Sequence, residues 1–114
     1  MRDMRAHAER GVSAPPEVAF NTATDPVRLG AWLPAPLRAR GSRPEVESKA
    51  LRATWPRSGS APWSAAIRVR PVDSGGALIE FDLDGDLPDG RLTALAAESL
   101  ARLAEHVADN LTAG

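Results

Sequence analysis

A chain of 114 residues with 43% hydrophobic and 25% charged side chains has the make-up of one globular domain spanning 1–114, not of a disordered segment. A net charge of −1, with acids and bases interleaved, leaves no electrostatic footprint for nucleic acid or an anionic membrane, and no apolar run is long enough to span a bilayer. With no cysteine and no tyrosine, disulfides, thiolate chemistry and phenolic proton donors are excluded; only His7 and His106 titrate near neutrality unaided. No apolar stretch follows Met1-Arg2-Asp3-Met4-Arg5 as in a secretion signal, so a cytoplasmic protein is expected, and the acceptor-like Asn110-Leu111-Thr112 is accidental.

Residues 4–12 read as a first strand, with Met4, Ala6, Ala8 and Val12 on one parity and Arg5, His7 and Glu9 on the other. Ser13 or Ala14 is expected to cap a helix whose first turn tolerates Pro15 and Pro16, because their missing N–H groups would be unpaired there. Glu17 suits the positive end of that helix, and Val18, Ala19 and Phe20 form its inward face. Thr24-Asp25-Pro26 ends it and begins a second helix with Val27, Leu29, Ala31 and Trp32 to bury, stopped by Pro34 and Pro36. Residues 37–44 are weakly patterned and read as loop or a short edge strand.

Three better strands follow. Residues 46–55 carry Leu51, Ala53 and Trp55 on one parity, and 63–70 carry Trp63, Ala65, Ile67 and Val69. Residues 77–83 put Ala77, Ile79, Phe81 and Leu83 inward. The linking segments, 56–62 and Asp73-Ser74-Gly75-Gly76, are turn chemistry. Alternation in hairpin-linked strands predicts an antiparallel sheet with one covered face. The cover is a long helix, about Leu87 to Leu111, with Leu92, Leu95, Ala96, Leu100, Leu103, Val107 and Leu111 on one stripe. Arg91, Glu98, Ala101, Arg102, Glu105 and Asp109 take the opposite face, and Pro88 fits the first turn.

An apolar wall with a few convergent polar groups describes a small-molecule pocket. Ser99 and Asn110 fall within the apolar stripe and His106 at its edge; with Leu103, Trp32, Trp55 and Trp63 they are the candidate lining. Trp32 is expected at the mouth. Each has a plainer reading: Ser99 bonded to a carbonyl one turn back, Asn110 in a fraying helix end, His106 half-wet, the tryptophans as core. Arg68 and Arg70 are expected to face Glu80 and Asp82 on the wet side of a hairpin; a register slipped by one residue would turn all four inward. Lys49 and Arg52 lie on opposite parities, so one of them is expected to face the cavity. No metal is expected, since the histidines are far apart in sequence and neither belongs to a compact acid/His cluster. No cofactor is expected either: the glycines at 75–76 sit between strands, not ahead of a helix.

The pattern Val12-x-Ala14-Pro15-x-Glu17-Val18-x-Phe20, the closing Trp32-Leu33-Pro34 and the long final helix resemble the helix-grip superfamily of START-like, birch-pollen-allergen-like and polyketide-cyclase-like (SRPBCC) domains. The tail Val107-Ala108-Asp109-Asn110-Leu111-Thr112-Ala113-Gly114 resembles small actinobacterial members. The resemblance implies an α+β fold, a curved antiparallel sheet wrapped around a C-terminal helix, with a hydrophobic small molecule held between them. Such domains have about seven strands, whereas four to six are legible here. A shortened sheet leaves a small cavity, one open at a side, or one closed by a second copy in a homodimer. Three functions stand: a binder of a hydrophobic small molecule, a polyketide aromatase/cyclase-like enzyme, and a chaperone-ATPase-activator-like regulator.

Overall fold

The computed structural model describes residues 4–39, 43–57 and 63–113. Strand β1 (Met4–Val12) leads into helices α1 (Pro16–Thr24), α2 (Pro26–Trp32) and α3 (Ala35–Ala39). Strands β2 (Glu45–Glu47), β3 (Arg52–Trp55), β4 (Ser64–Pro71) and β5 (Ala77–Gly85) follow, and α4 (Asp89–Ala113) closes the chain. The strands form one antiparallel sheet in the order β1-β5-β4-β3-β2. The long first connection, carrying α1 to α3, takes the chain from β1 at one edge to β2 at the other. The last hairpin brings β5 back beside β1.

Alternation decides which face is covered. Ala65, Ile67 and Val69 of β4 and Ala77, Ile79, Phe81 and Leu83 of β5 are buried, as expected, while Arg68 and Arg70 point to water. Helix α4 lies over that face, chiefly against β1. Its Leu92, Ala96, Leu100, Leu103 and Val107 are buried at the repeat of a 3.6-residue turn. Leu111 is helical, but its side chain lies outside the described residues. The turn between β4 and β5 forms as read, with Gly75 at φ 93, a conformation most side chains resist.

Several expectations need correction. Neither Ser13 nor Ala14 caps α1; Pro15 occupies the cap and gives no side-chain bond, so the proline rings alone set the start. Asp25 ends α1 and caps α2 through Val27 N–H at 3.0 Å. That cap holds the start of α2 at the surface: Val27 is 89% exposed and Ala31 is exposed, Leu29 is half-buried, and only Trp32 is fully inside. Pro34 and Pro36 do not simply end helical structure, because a further turn, α3, forms at 35–39 and buries Leu37. Residues 40–42 of the loop expected at 37–44, and 58–62 of the turn expected at 56–62, lie outside the described residues.

The strand expected at 46–55 is broken. Glu45–Glu47 pairs at the edge, Ser48–Ala50 makes a 3-10 turn, and Leu51 reverses the path at φ 51 before β3 begins. The break leaves both Lys49 and Arg52 exposed, so neither faces the interior.

Candidate functional site

The side chains that were candidate lining separate into core, helix latch and edge. Trp32, Trp55 and Leu103 have 0% exposure, as do their neighbours Ile67, Phe81, Leu83 and Leu92. Side chains lining a ligand-sized void keep exposed surface inside it, so in this state these residues pack on one another. Trp32 meets Trp55 edge to face at 5.8 Å and Phe81 at 5.5 Å. It is an anchor of the core, not a residue at the mouth, and its Nε1–H donates to Ala23 O at 3.2 Å. Trp63 is also buried, packed over Gly85, where a Cβ would meet its ring.

Ser99 is buried on the inner face of α4, and His106 is half-buried, as its stripe-edge position predicts. Asn110 belongs to a different structure. Its Nδ2 donates to Thr22 Oγ1 at 3.1 Å and its Oδ1 accepts from Arg28 Nη2 at 3.5 Å, while Thr22 Oγ1 donates to Val18 O at 2.8 Å. This chain ties the end of α4 to α1 and α2, with Arg28 also 3.4 Å from Asp25. Eleven positions along a helix separate Ser99 from Asn110 by about 16 Å, so the polar groups of the stripe do not converge on one small ligand.

One buried donor in the core is unsatisfied. Trp55 Nε1–H has no hydrogen-bond partner, a state that costs about 1–3 kcal/mol.

An apolar cleft of about 250 Å³ opens where α2 meets α3. Leu29 and Leu33 form its walls over the buried Leu37, with Gly30 at the surface of α2 and Arg38 and Arg43 at its rim. Leu33 and Leu37 are shared, since both also belong to the buried core cluster that contains Trp32 and Trp55. Arg38 Nη1 donates to Gly30 O at 3.0 Å and straps α3 to α2. The weak patterning of 37–44 concealed this cleft; its only sequence signal is the proline-flanked Pro34-Ala35-Pro36-Leu37-Arg38.

The outer face of the sheet is polar and paired. Arg70 bonds Glu80 at 3.2 Å, as expected of that face, but Asp82 pairs with His7 and not with an arginine. The register places His7 opposite Asp82 and Glu9 opposite Glu80. His7 lies 2.7 Å from Asp82 and 2.9 Å from Glu9, and these contacts raise its pKa, Glu9 contributing most. Arg5 binds Asp84 at 2.9 Å, which raises the guanidinium pKa further. His7 is therefore part of a compact acid/His cluster in space, contrary to expectation: donor atoms of His7, Glu9 and Glu80 lie within 4.8 Å of one another. Both ring nitrogens already face carboxylates and Glu80 is held by Arg70, so the cluster reads as cross-strand pairing on a wet face.

By sequence the chain matches no protein-family model and no curated protein. By structure it resembles TTHA0849 from Thermus thermophilus, with TM-score 0.66 and 16% identity over 94% of this chain and 99% of that one. It also resembles DynU16, a protein of the dynemicin biosynthetic locus, with TM-score 0.66 and 16% identity over 96% of this chain and 49% of that one. Ara h 8.0201 superposes with TM-score 0.60 and 10% identity over 99% of this chain and all of the other. No helix among the described residues is long and apolar enough to cross a membrane. The described strands form a curved five-stranded antiparallel sheet closed by one long C-terminal helix, a helix-grip arrangement whose fold is similar to that of these proteins.

Proposed function

We propose that this chain binds a largely apolar small molecule, taken up through the α2–α3 cleft into the space between the sheet and α4. The observation that carries this reading is the cleft itself, whose wall Leu33 and the buried Leu37 beneath it both belong to the core behind it. Its 250 Å³ falls below the roughly 300 Å³ at which ligand pockets begin, so a bound molecule must part α3 from α2. A five-residue helix has no stability of its own and is held by packing, which makes α3 the element that yields most easily.

Binding is favoured over a cyclase because, among the described residues, no acid or base is fully buried. Among the described residues, the buried polar side chains are Thr22 and Ser99. The Thr22 hydroxyl is committed to Val18 O and Asn110. Turnover would need a group that exchanges a proton near neutrality within reach of the substrate. The regulator reading would need a large apolar surface, whereas among the described residues the large hydrophobics that stand exposed are three valines, Val27, Val46 and Val72.

The test is titration with N-phenylnaphthylamine, followed by its emission and by tryptophan quenching. One molecule per chain is expected. A Cβ at Gly30 would meet nothing within 4 Å, so Gly30→Phe adds bulk at the cleft from an open, exposed position on α2. It should weaken the probe by about tenfold or more with little loss of stability. Undiminished affinity in that variant would place uptake elsewhere; no binding by the parent protein would remove the carrier reading.

A further inference from the structure

Trp32 and Trp55 lie in the same aromatic cluster, yet their indole donors are handled differently. Trp32 is paired with Ala23 O, whereas Trp55 Nε1–H meets no acceptor although the residue has no exposed surface. Folded proteins pair nearly all buried donors, because an unpaired one forfeits its bond to water and gains nothing in return. Phenylalanine would supply an apolar ring on β3 without that penalty. A water against this N–H would need space of its own, and that space would leave exposed surface on Trp55 or on Trp32 beside it; both show none.

We infer that Trp55 Nε1–H is the polar anchor for the ligand, which is an apolar molecule carrying a carbonyl-type acceptor oxygen. This rests on the uptake reading above, since the closed core has no room for the acceptor. The side chains around Trp55 narrow the chemistry. Its cross-strand partner is Ala65, whose row runs on to Leu83, and Ala53 precedes it on the same face in a row that runs on to Ile67 and Phe81. None of these can neutralise a charged head group or accept from a hydroxyl. An indole N–H only donates, so the complementary group is an acceptor oxygen. A ligand without one leaves the donor as orphaned as before; a ligand with one pairs it in an apolar setting, where that bond counts most.

Fluorene and fluorenone test this, being rings of one shape that differ by a methylene against a carbonyl. Calorimetric titration of the intact protein should show fluorenone bound about tenfold or more tighter than fluorene, and Trp55→Phe should bring the two close to equal. Proton–nitrogen NMR of the unsubstituted protein gives a second measurement that does not depend on the variant folding: fluorenone should move the Trp55 indole N–H resonance downfield, and fluorene should not. Equal affinities with that resonance unmoved would overturn the anchor while leaving apolar ligand uptake in place. Failure of both ligands to bind would overturn the anchor and the uptake reading together.

Discussion

Leu103→Ala probes the contact that holds the grip closed. Leu103 sits mid-way along α4 with no exposed surface, and its neighbours one turn away on either side, Leu100 and Val107, are each 1% exposed. Truncation removes three carbons from the interior, a transfer loss of about 2.4 kcal/mol at ~0.8 kcal/mol per buried methylene. The space left behind adds up to ~1.8 kcal/mol if none of the roughly 75 Å³ vacated is refilled. Neighbours fixed on the same helix and on a paired sheet can follow only in part, so the expected cost is about 2–4 kcal/mol. For a domain of this size that lowers Tm by roughly 8–16 °C. Glu98→Ala is the control. Its carboxylate is 61% exposed and pairs with Arg102 one turn on at 3.2 Å, a contact worth below about 0.5 kcal/mol. Urea unfolding followed by tryptophan fluorescence and by circular dichroism should give unchanged slopes and widely separated midpoints. Equal midpoints for the two variants would refute the docking of α4 on the sheet.

Other outcomes follow from the outer face and the last hairpin. The raised pKa of His7, due first to Glu9 and then to Asp82, makes its contribution to stability full below the unfolded value of about 6.5 and lost as pH rises through the higher folded value. The groups are half-exposed, so the effect is a fraction of a kcal/mol; melts across that window should flatten in His7→Gln, and an unaltered slope would show that the pairs do not form. Replacing Arg68, Arg70, Glu80 and Asp82 together with threonine should leave N-phenylnaphthylamine binding intact, and its loss at unchanged stability would move these residues into the site. Gly76→Ala drives a Cβ into the backbone carbonyl of Val12, which cannot rotate away, and should cost about 1–3 kcal/mol in the same urea assay; a neutral result would mean β1 and the start of β5 are not so closely apposed.

The elements legible in the sequence were those whose pattern repeats over many residues. Alternation along 63–70 and 77–83 specified which side chains face inward, because a strand of period two leaves no other choice once one face is covered. The stripe from Leu92 to Val107 specified the long helix and its buried face, and the prolines around 15–16 and 26 specified where the short helices start. Short elements carry too few residues for a period to show. Thus the single turn at 35–39 and the left-handed Leu51 that breaks the strand before β3 were decided by packing and path, as was the exposure of Val27. Partners depend on tertiary pairing still more strongly. His7 meets Asp82, Asn110 meets Thr22, and Trp55 is left without an acceptor, because register and helix docking bring together residues 75 and 88 positions apart and leave one indole N–H unpaired. Polarity in a helical stripe marks where a polar atom is, but whether it meets a ligand, a neighbouring side chain or nothing is set by what the rest of the chain places against it.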